Sequence, residues 1–99
     1  MSKSIMVPIE PELRDYIEKL HFESLAIKNV LRYIMLSATK IDKSYILEYQ
    51  NRAENKQLEL DFALSELSKT YKPQEITGFY TYEVEFDRCA IRYDFNKEV

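Results

Sequence analysis

The sequence is poor in the residues that make turns, disulfides and metal sites. Its 99 residues include one glycine, three prolines and one cysteine, and no tryptophan. So little glycine and proline argues against a turn-rich all-β fold and against disorder. A single cysteine excludes a disulfide within the chain and an all-cysteine metal site in one chain.

Long apolar runs and an excess of positive charge are also missing. No apolar run approaches the ~18 residues of a membrane-spanning helix, and no hydrophobic segment follows Met1–Ser4 as it would in a signal peptide. The formal net charge of −3 disfavours bulk binding to nucleic acid. We therefore expect no membrane or nucleic-acid partner, a cytoplasmic location, and an α-rich chain that forms a single domain over residues 1–99.

The first amphipathic segment predicts a helix over residues 11–36, which begins at Pro11 because the first turn of a helix tolerates proline. Its apolar seam repeats every three or four residues, with a serine at one position: Leu13, Ile17, Leu20, Ser24, Ile27, Leu31 and Ile34. A second apolar stripe runs beside it: Tyr16, Phe22, Leu25, Ala26, Val30, Tyr33, Met35 and Leu36. Because another helix covers only one stripe, the second needs a sheet, a second subunit or a partner.

The next periodic segment predicts a helix over residues 43–71. Asp42 is its expected N-cap, residues 37–43 form the connection, and Pro73 ends it. Its seam comprises Ile46, Tyr49, Ala53, Lys56, Leu60, Leu64 or Ala63, Leu67 and Tyr71. In an antiparallel helical hairpin Ser24 lies opposite residues 52–56, where a buried hydrogen bond would fix the register.

After Gly78 the apolar period changes from that of a helix to that of a strand, which predicts a β-hairpin over residues 78–96. Every apolar cross-strand pair then falls on one face: Phe86 with Cys89, Val84 with Ile91, Tyr82 with Tyr93, and Tyr80 with Phe95. On the other face Glu83 meets Arg92, and Glu85 meets Ala90. The turn is either Asp87-Arg88 or, since these are poor type I′ residues, a four-residue loop on the same register.

The N-terminal stretch Ser4–Val7, closed by Pro8, is either a tail or a short edge strand that adds a third strand to the hairpin. The predicted fold class is α+β: a long antiparallel two-helix hairpin followed by a C-terminal β-hairpin. The β-hairpin follows the far end of the second helix, so it is expected near the start of the first helix. The tip of the helical hairpin then stays uncovered in a monomer.

Two patterns raise the question of catalysis or metal binding. Glu18 and His21 form a Glu-x-x-His pattern that, doubled in a dimeric bundle with Glu59 or Asp61, would hold two metal ions. Since the pair flanks the apolar seam, we interpret it as solvated and predict no metal and no cofactor. Cys89 falls on the apolar face of the β-hairpin, where it is expected to act as a small hydrophobe rather than a nucleophile.

The charged clusters have similarly ordinary explanations. Glu83 and Glu85 share a strand face, where Arg92 and solvent account for them better than a catalytic acid–base pair. Four bases near the helical tip form a solvated face or a surface for an anionic partner: Lys28, Arg32, Lys40 and Lys43. No phosphate-binding glycine loop, nucleophile elbow or zinc spacing is present, so we predict a non-enzyme without catalytic residues.

Three stretches carry a resemblance to a known family: residues 10–31, Glu66–Lys72 at the end of the second helix, and Tyr82–Tyr93, which contains a Phe-Asp-x-Cys-x-Ile-x-Tyr pattern. In these stretches the chain resembles the CXXX-repeat peptide modification system proteins, short accessory proteins of clostridial-type peptide-modification gene clusters. Where that family tends to have tryptophan, this chain has Phe62, Tyr71 and Tyr82. The resemblance implies a non-catalytic accessory protein that binds a precursor peptide or its modifying enzyme.

Composition and the uncovered stripe together favour a protein-interaction module. Eight tyrosines and five phenylalanines supply the residue types that are enriched at interface cores. We predict a homodimer in which two helical hairpins form a four-helix bundle, and partner contacts from Leu25, Val30, Tyr33, Met35, Leu36 and Tyr45. The alternative function is a small phage or mobile-element inhibitor of a host defence nuclease or signalling enzyme. From Asn51 onward the chain has ten acidic and seven basic residues, and an acidic half of this kind could face a nucleic-acid channel.

Overall fold

The structure is a computed structural model and describes residues 2–36 and 43–96. Its elements follow the chain as β1 (Ser2–Pro8), α1 (Pro11–Leu36), α2 (Lys43–Tyr71), β2 (Tyr80–Glu85), a 3₁₀ turn (Phe86–Arg88) and β3 (Ala90–Asn96). The predicted α+β class, with a helical hairpin before a C-terminal β-hairpin, is confirmed, and the N-terminal stretch is a strand rather than a tail. The expected N-cap at Asp42 lies outside the described residues.

Proline and glycine set the element boundaries as the sequence indicates. The helix α1 begins at Pro11, and the Arg14 amide donates to the Glu10 carbonyl at 3.0 Å to close its first turn. The helix α2 ends two residues before Pro73. Gly78 has φ of +81°, a left-handed conformation that glycine adopts without strain, and strand β2 begins two residues later.

The described residues form two compact units. The first, the sheet unit, comprises residues 2–16 and 64–96 and holds the three strands, the start of α1 and the end of α2. The second, the helical unit, comprises residues 17–36 and 43–63 and holds the rest of both helices.

The three strands of the sheet unit are antiparallel, in the order β1-β3-β2. Every β2–β3 partner predicted within the strands is present, including Val84 opposite Ile91 and Glu83 opposite Arg92. On the other side of β3, Val7 lies opposite Ile91. Because alternate residues of a strand point to opposite faces, most apolar residues of the three strands share one face, whereas Met6, opposite Arg92, and Ala90, opposite Glu85, lie on the other.

The core of the sheet unit lies on this apolar face. Ile76, Ile91 and Tyr93 are completely buried. The Tyr93 hydroxyl donates to the Ser68 carbonyl of α2 at 2.6 Å, which ties the central strand to the helix. Burial, together with the neighbouring Tyr80 and Tyr82, raises the pKa of Tyr93 to about 12.

The turn of the β-hairpin differs from one expectation. Phe86 to Cys89 form the four-residue connection, and the Cys89 amide donates to the Phe86 carbonyl at 3.2 Å. Cys89 has φ of +50°, so it leaves the strand pattern and is half-buried rather than packed on the apolar face as a core residue. Instead its thiol donates to the Ile9 carbonyl at 3.4 Å, and its own carbonyl accepts from the Ile9 amide at 3.0 Å.

Candidate partner-binding surface

The helical unit buries a narrow seam of small and aliphatic side chains. Ile17, Leu20 and Ser24 of α1 are buried, and so are Ala53 and Leu60 of α2. All five belong to the seams predicted from the heptad spacing. The later seam residues of α1, Ile27, Leu31 and Ile34, are only half-buried.

A hydrogen-bonded polar layer crosses the middle of this seam. The buried Ser24 hydroxyl donates to Gln57 Oε1 at 3.3 Å, and the Lys28 ammonium donates to the same oxygen. The Gln57 amide nitrogen in turn donates to Asp61 Oδ1 at 2.8 Å. The prediction that Ser24 lies opposite residues 52–56 is therefore correct to within one residue. Since a shift of the helices would leave Ser24 unpaired, the layer favours this register.

An ion-pair cluster flanks the polar layer. The Lys56 ammonium lies 3.0 Å from Glu23 Oε2 on the facing helix and 3.2 Å from Glu59 Oε2 on its own helix. Hydrogen bonds to Glu23 and Glu59 raise the pKa of Lys56 above its ordinary value of 10.5. The cluster thus joins the two helices on a side of the seam that is open to solvent.

Beyond the polar layer the two helices stop burying side chains. From residue 25 to residue 36 and from residue 43 to residue 52, no described side chain is buried. We call these two segments the tip. A shallow cavity of about 430 Å³ opens beside the tip, lined by Lys28, Leu31, Gln50, Ala53, Glu54 and Gln57.

All six residues predicted to contact a partner lie in the tip and are exposed. Their exposed fractions run from 42% for Val30 to 82% for Leu36, and the others are Leu25, Tyr33, Met35 and Tyr45. Leu47 in the tip and Phe22 just before it are exposed as well, at 59% and 58%. The structure therefore brings the predicted set together at one end of the helical unit.

Two exposed apolar residues of α2 escaped the sequence prediction. Leu58 and Phe62 of α2 are 65% and 69% exposed. The signal was their spacing: Leu58 follows Leu47 by eleven residues, three full helical turns, and Phe62 follows Leu58 by four. These three positions form an outer stripe on α2 that the inner seam does not use.

The described residues of a single chain do not assemble a metal site. No group of three or more histidine, cysteine, aspartate or glutamate side chains lies close enough to hold a metal ion anywhere in residues 2–36 and 43–96. His21 is exposed, with its ring centroid 6.0 Å from that of Phe22. The Glu-x-x-His pattern therefore has no further ligand near it in the chain as described.

Glu83, Glu85 and Lys28, from the charged clusters noted in the sequence, form ion pairs or hydrogen bonds. Glu83 and Glu85 both accept from Arg92, at 2.8 and 2.6 Å, as the ordinary interpretation of that pair predicts. In the basic cluster near the tip Lys28 donates to Gln57, whereas Lys40 lies outside the described residues.

Comparison with protein-family models, with curated proteins and with solved structures finds no match to this chain. Among the described helices, none is both long enough and apolar enough to cross a membrane.

Proposed function

We propose that the chain is a non-catalytic cytoplasmic interaction module that dimerises through the tip of its helical unit. In the dimer two helical hairpins pack into a four-helix bundle, and the assembled module acts as an accessory protein in a peptide-modification system, as the family resemblance implies. The occupant of the tip is a second copy of this chain.

The absence of buried side chains in the tip carries this proposal. Two helices that leave their apolar residues half in water gain little from packing on each other, because most helical stability comes from burying an apolar face. A second hairpin would supply the missing layers, as in four-helix bundles. A two-fold axis is the commonest way for identical chains to do so.

The exposed apolar area is large enough for a dimer. At roughly 200 Å² for each large apolar side chain, the six predicted residues leave about 700 Å² of apolar surface exposed. Phe22 and Leu47 raise this to about 900 Å². Stable complexes bury about 800 Å² on each partner, whereas the largest apolar patch of a typical monomer is about 300–600 Å².

Light scattering with size-exclusion chromatography tests the dimer. The wild type is expected at about 24 kDa, twice the 11.9 kDa of the chain. Leu36→Glu places a charge at a tip residue that is 82% exposed, so it should give a folded monomer. Phe79→Glu is the matched control, because Phe79 is also exposed but lies in the sheet unit, and it should remain a dimer.

A wild-type species of about 12 kDa with one sharp unfolding transition would refute the dimer. Dissociation by Phe79→Glu and not by Leu36→Glu would place the interface elsewhere. The accessory role has a separate test, which is co-purification with a cysteine-repeat precursor peptide or its modifying enzyme from the native host. Identification of neither protein would count against the role while leaving the dimer standing.

A further inference from the structure

We propose that the free edge of strand β2 binds an extended peptide as a fourth strand, and that this peptide alternates basic with apolar residues. All residues of this site belong to the sheet unit. The inference is therefore independent of the proposed dimer, which uses the helical unit alone.

The two edges of the sheet differ in how they are protected. Strand β1 ends in Pro8, which has no amide hydrogen, and carries Lys3 on the apolar face; proline and inward lysine are common devices that block strand addition. Strand β2 (Tyr80–Glu85) contains neither residue. Within the part of the chain that the structure describes, β2 pairs with β3 alone, so its outer edge keeps backbone donors and acceptors for an added strand.

The polar face beside this edge carries excess negative charge. Arg92 is shared by three carboxylates, Glu83, Glu85 and Asp94, so the cluster retains two negative charges. A hydrogen bond from Ser4, then the Arg92 guanidinium, lower the pKa of Asp94, so its carboxylate is ionised at neutral pH. The Glu83 side chain is 66% exposed and lies on the edge strand itself. Because facing side chains of paired strands are about 5 Å apart, a peptide residue opposite Glu83 is favoured as lysine or arginine.

A cavity at the start of β2 favours a second basic residue in the peptide, two positions from the residue opposite Glu83. It measures about 380 Å³, opens at the start of β2, and is lined by Ser2, Phe79, Tyr80, Thr81, Asp94, Phe95 and Asn96. Phe79 is fully exposed, although an aromatic ring without a partner loses the benefit of burial. A lysine or arginine opposite Thr81 would stack on the Phe79 ring and pair with Asp94.

The apolar face of β2 is the reason for the apolar residues at alternate positions of the proposed peptide. Tyr80, Tyr82 and Val84 point to the apolar face and are half-buried, because β2 is an edge strand of the sheet that the structure describes. Apolar side chains at alternate peptide positions would cover their exposed sides. The site therefore selects basic-apolar-basic sequences in an extended conformation.

Fluorescence anisotropy with a labelled octapeptide of alternating lysine and valine tests the proposal. Two control peptides accompany it: an alternating glutamate–valine octapeptide, and the lysine–valine octapeptide N-methylated at every residue, which keeps its charge but has no backbone donor on either edge. The first peptide should bind in a salt-dependent manner, and neither control should bind measurably.

Protein variants locate the binding. Glu83→Lys should weaken binding about tenfold, whereas Glu75→Lys makes the same change of net charge at an exposed residue outside the site and should have little effect. Phe79→Ala should weaken binding about threefold through the lost cation–π contact, with thermal unfolding unchanged since Phe79 makes no buried contact.

Two kinds of result would overturn the inference: binding that does not need the peptide backbone, and binding that does not need the edge of β2. Equal binding of the N-methylated peptide would mean that charge alone attracts it, without strand addition. Equal weakening by Glu75→Lys and Glu83→Lys, or no binding of the lysine–valine peptide at low salt, would show that the edge of β2 is not the site. Neither result depends on whether the chain is a dimer.

Discussion

Tyr93→Phe should be less stable than the wild type at neutral pH and more stable than the wild type at strongly alkaline pH. Tyr93 is completely buried, and its hydroxyl donates to the Ser68 carbonyl at 2.6 Å. Removing one such hydrogen bond costs about 1 kcal/mol. At pH 7 the free energy of unfolding of Tyr93→Phe should therefore lie about 1 kcal/mol below that of the wild type.

The alkaline effect follows from the raised pKa. Tyr93 titrates near 12 in the folded protein, against 10 in the unfolded chain, so the unfolded chain loses its proton first as the pH rises. The stabilisation is complete below pH 10 and is lost as the pH passes from 10 to 12. The loss amounts to about 1 kcal/mol by pH 11 and about 3 kcal/mol in full. The phenylalanine variant has no proton to lose at this position.

The stabilities of the two proteins should consequently cross between pH 10 and pH 11.5, roughly where the proton-linked loss equals the hydrogen bond. Urea unfolding followed by circular dichroism across this range measures the crossing, and Tyr82→Phe, at the half-buried neighbour opposite Tyr93, is the control. A constant difference between wild type and Tyr93→Phe from pH 7 to pH 11 would refute the reasoning.

Three further outcomes are expected. Ile91→Asn should cost about 3 kcal/mol because it buries an unpaired amide, whereas Thr81→Asn on the exposed face should cost under about 1 kcal/mol by urea unfolding; the reverse order would contradict the register. Cys89→Gly should be at least as stable as the wild type in thermal unfolding, and Cys89→Ala less stable by about 1 kcal/mol, since alanine keeps the strained φ of +50° and loses the bond to Ile9. Asp94→Asn should lose less stability in acid than the wild type does. Because the pKa of Asp94 is lowered in the folded protein, its carboxylate contributes stability above the ordinary pKa of 3.8, and this stability is lost as the pH falls further. Parallel acid unfolding curves for both proteins would contradict this.

The strand register was predictable because two independent patterns agree on it. Apolar alternation places Val84 opposite Ile91, and charge pairing places Glu83 opposite Arg92 in the same alignment. A shift by one residue would break both at once. The helix ends were predictable for a similar reason, since Pro11 and Pro73 bound two segments with uninterrupted helical spacing.

Cys89 was placed wrongly because alternation was extended into a turn. A residue with positive φ is usually glycine or asparagine, and neither occurs between Glu85 and Ala90. The turn instead draws support from Ile9, which is distant in sequence and becomes a neighbour only when β1 pairs with β3. Contacts of this kind depend on tertiary structure and leave no local pattern.

The polar layer shows the same limit in the helical unit. The sequence places Ser24 opposite the right segment of α2, but it does not reveal that Gln57 accepts from both Ser24 and Lys28. Long polar side chains reach across several positions, so spacing alone does not identify their partner. Exposure of the tip was predictable because the apolar residues there outnumber the positions that one facing helix covers.

The polar layer also accounts for where the proposed dimer forms. A buried serine that needs Gln57 fixes how the two helices align, although it contributes little net stability. The apolar residues beyond it are therefore held at defined heights on α1 and α2, but they lack a third surface to pack against. Segments with few buried contacts open at low free energy, so the tip is the part of the unit that partner binding would order most. Most of the exposed large apolar side chains of the helical unit lie in the tip, so burying the tip in a dimer removes more apolar surface from water than burying the better-packed remainder, and this gain favours the tip as the dimer interface.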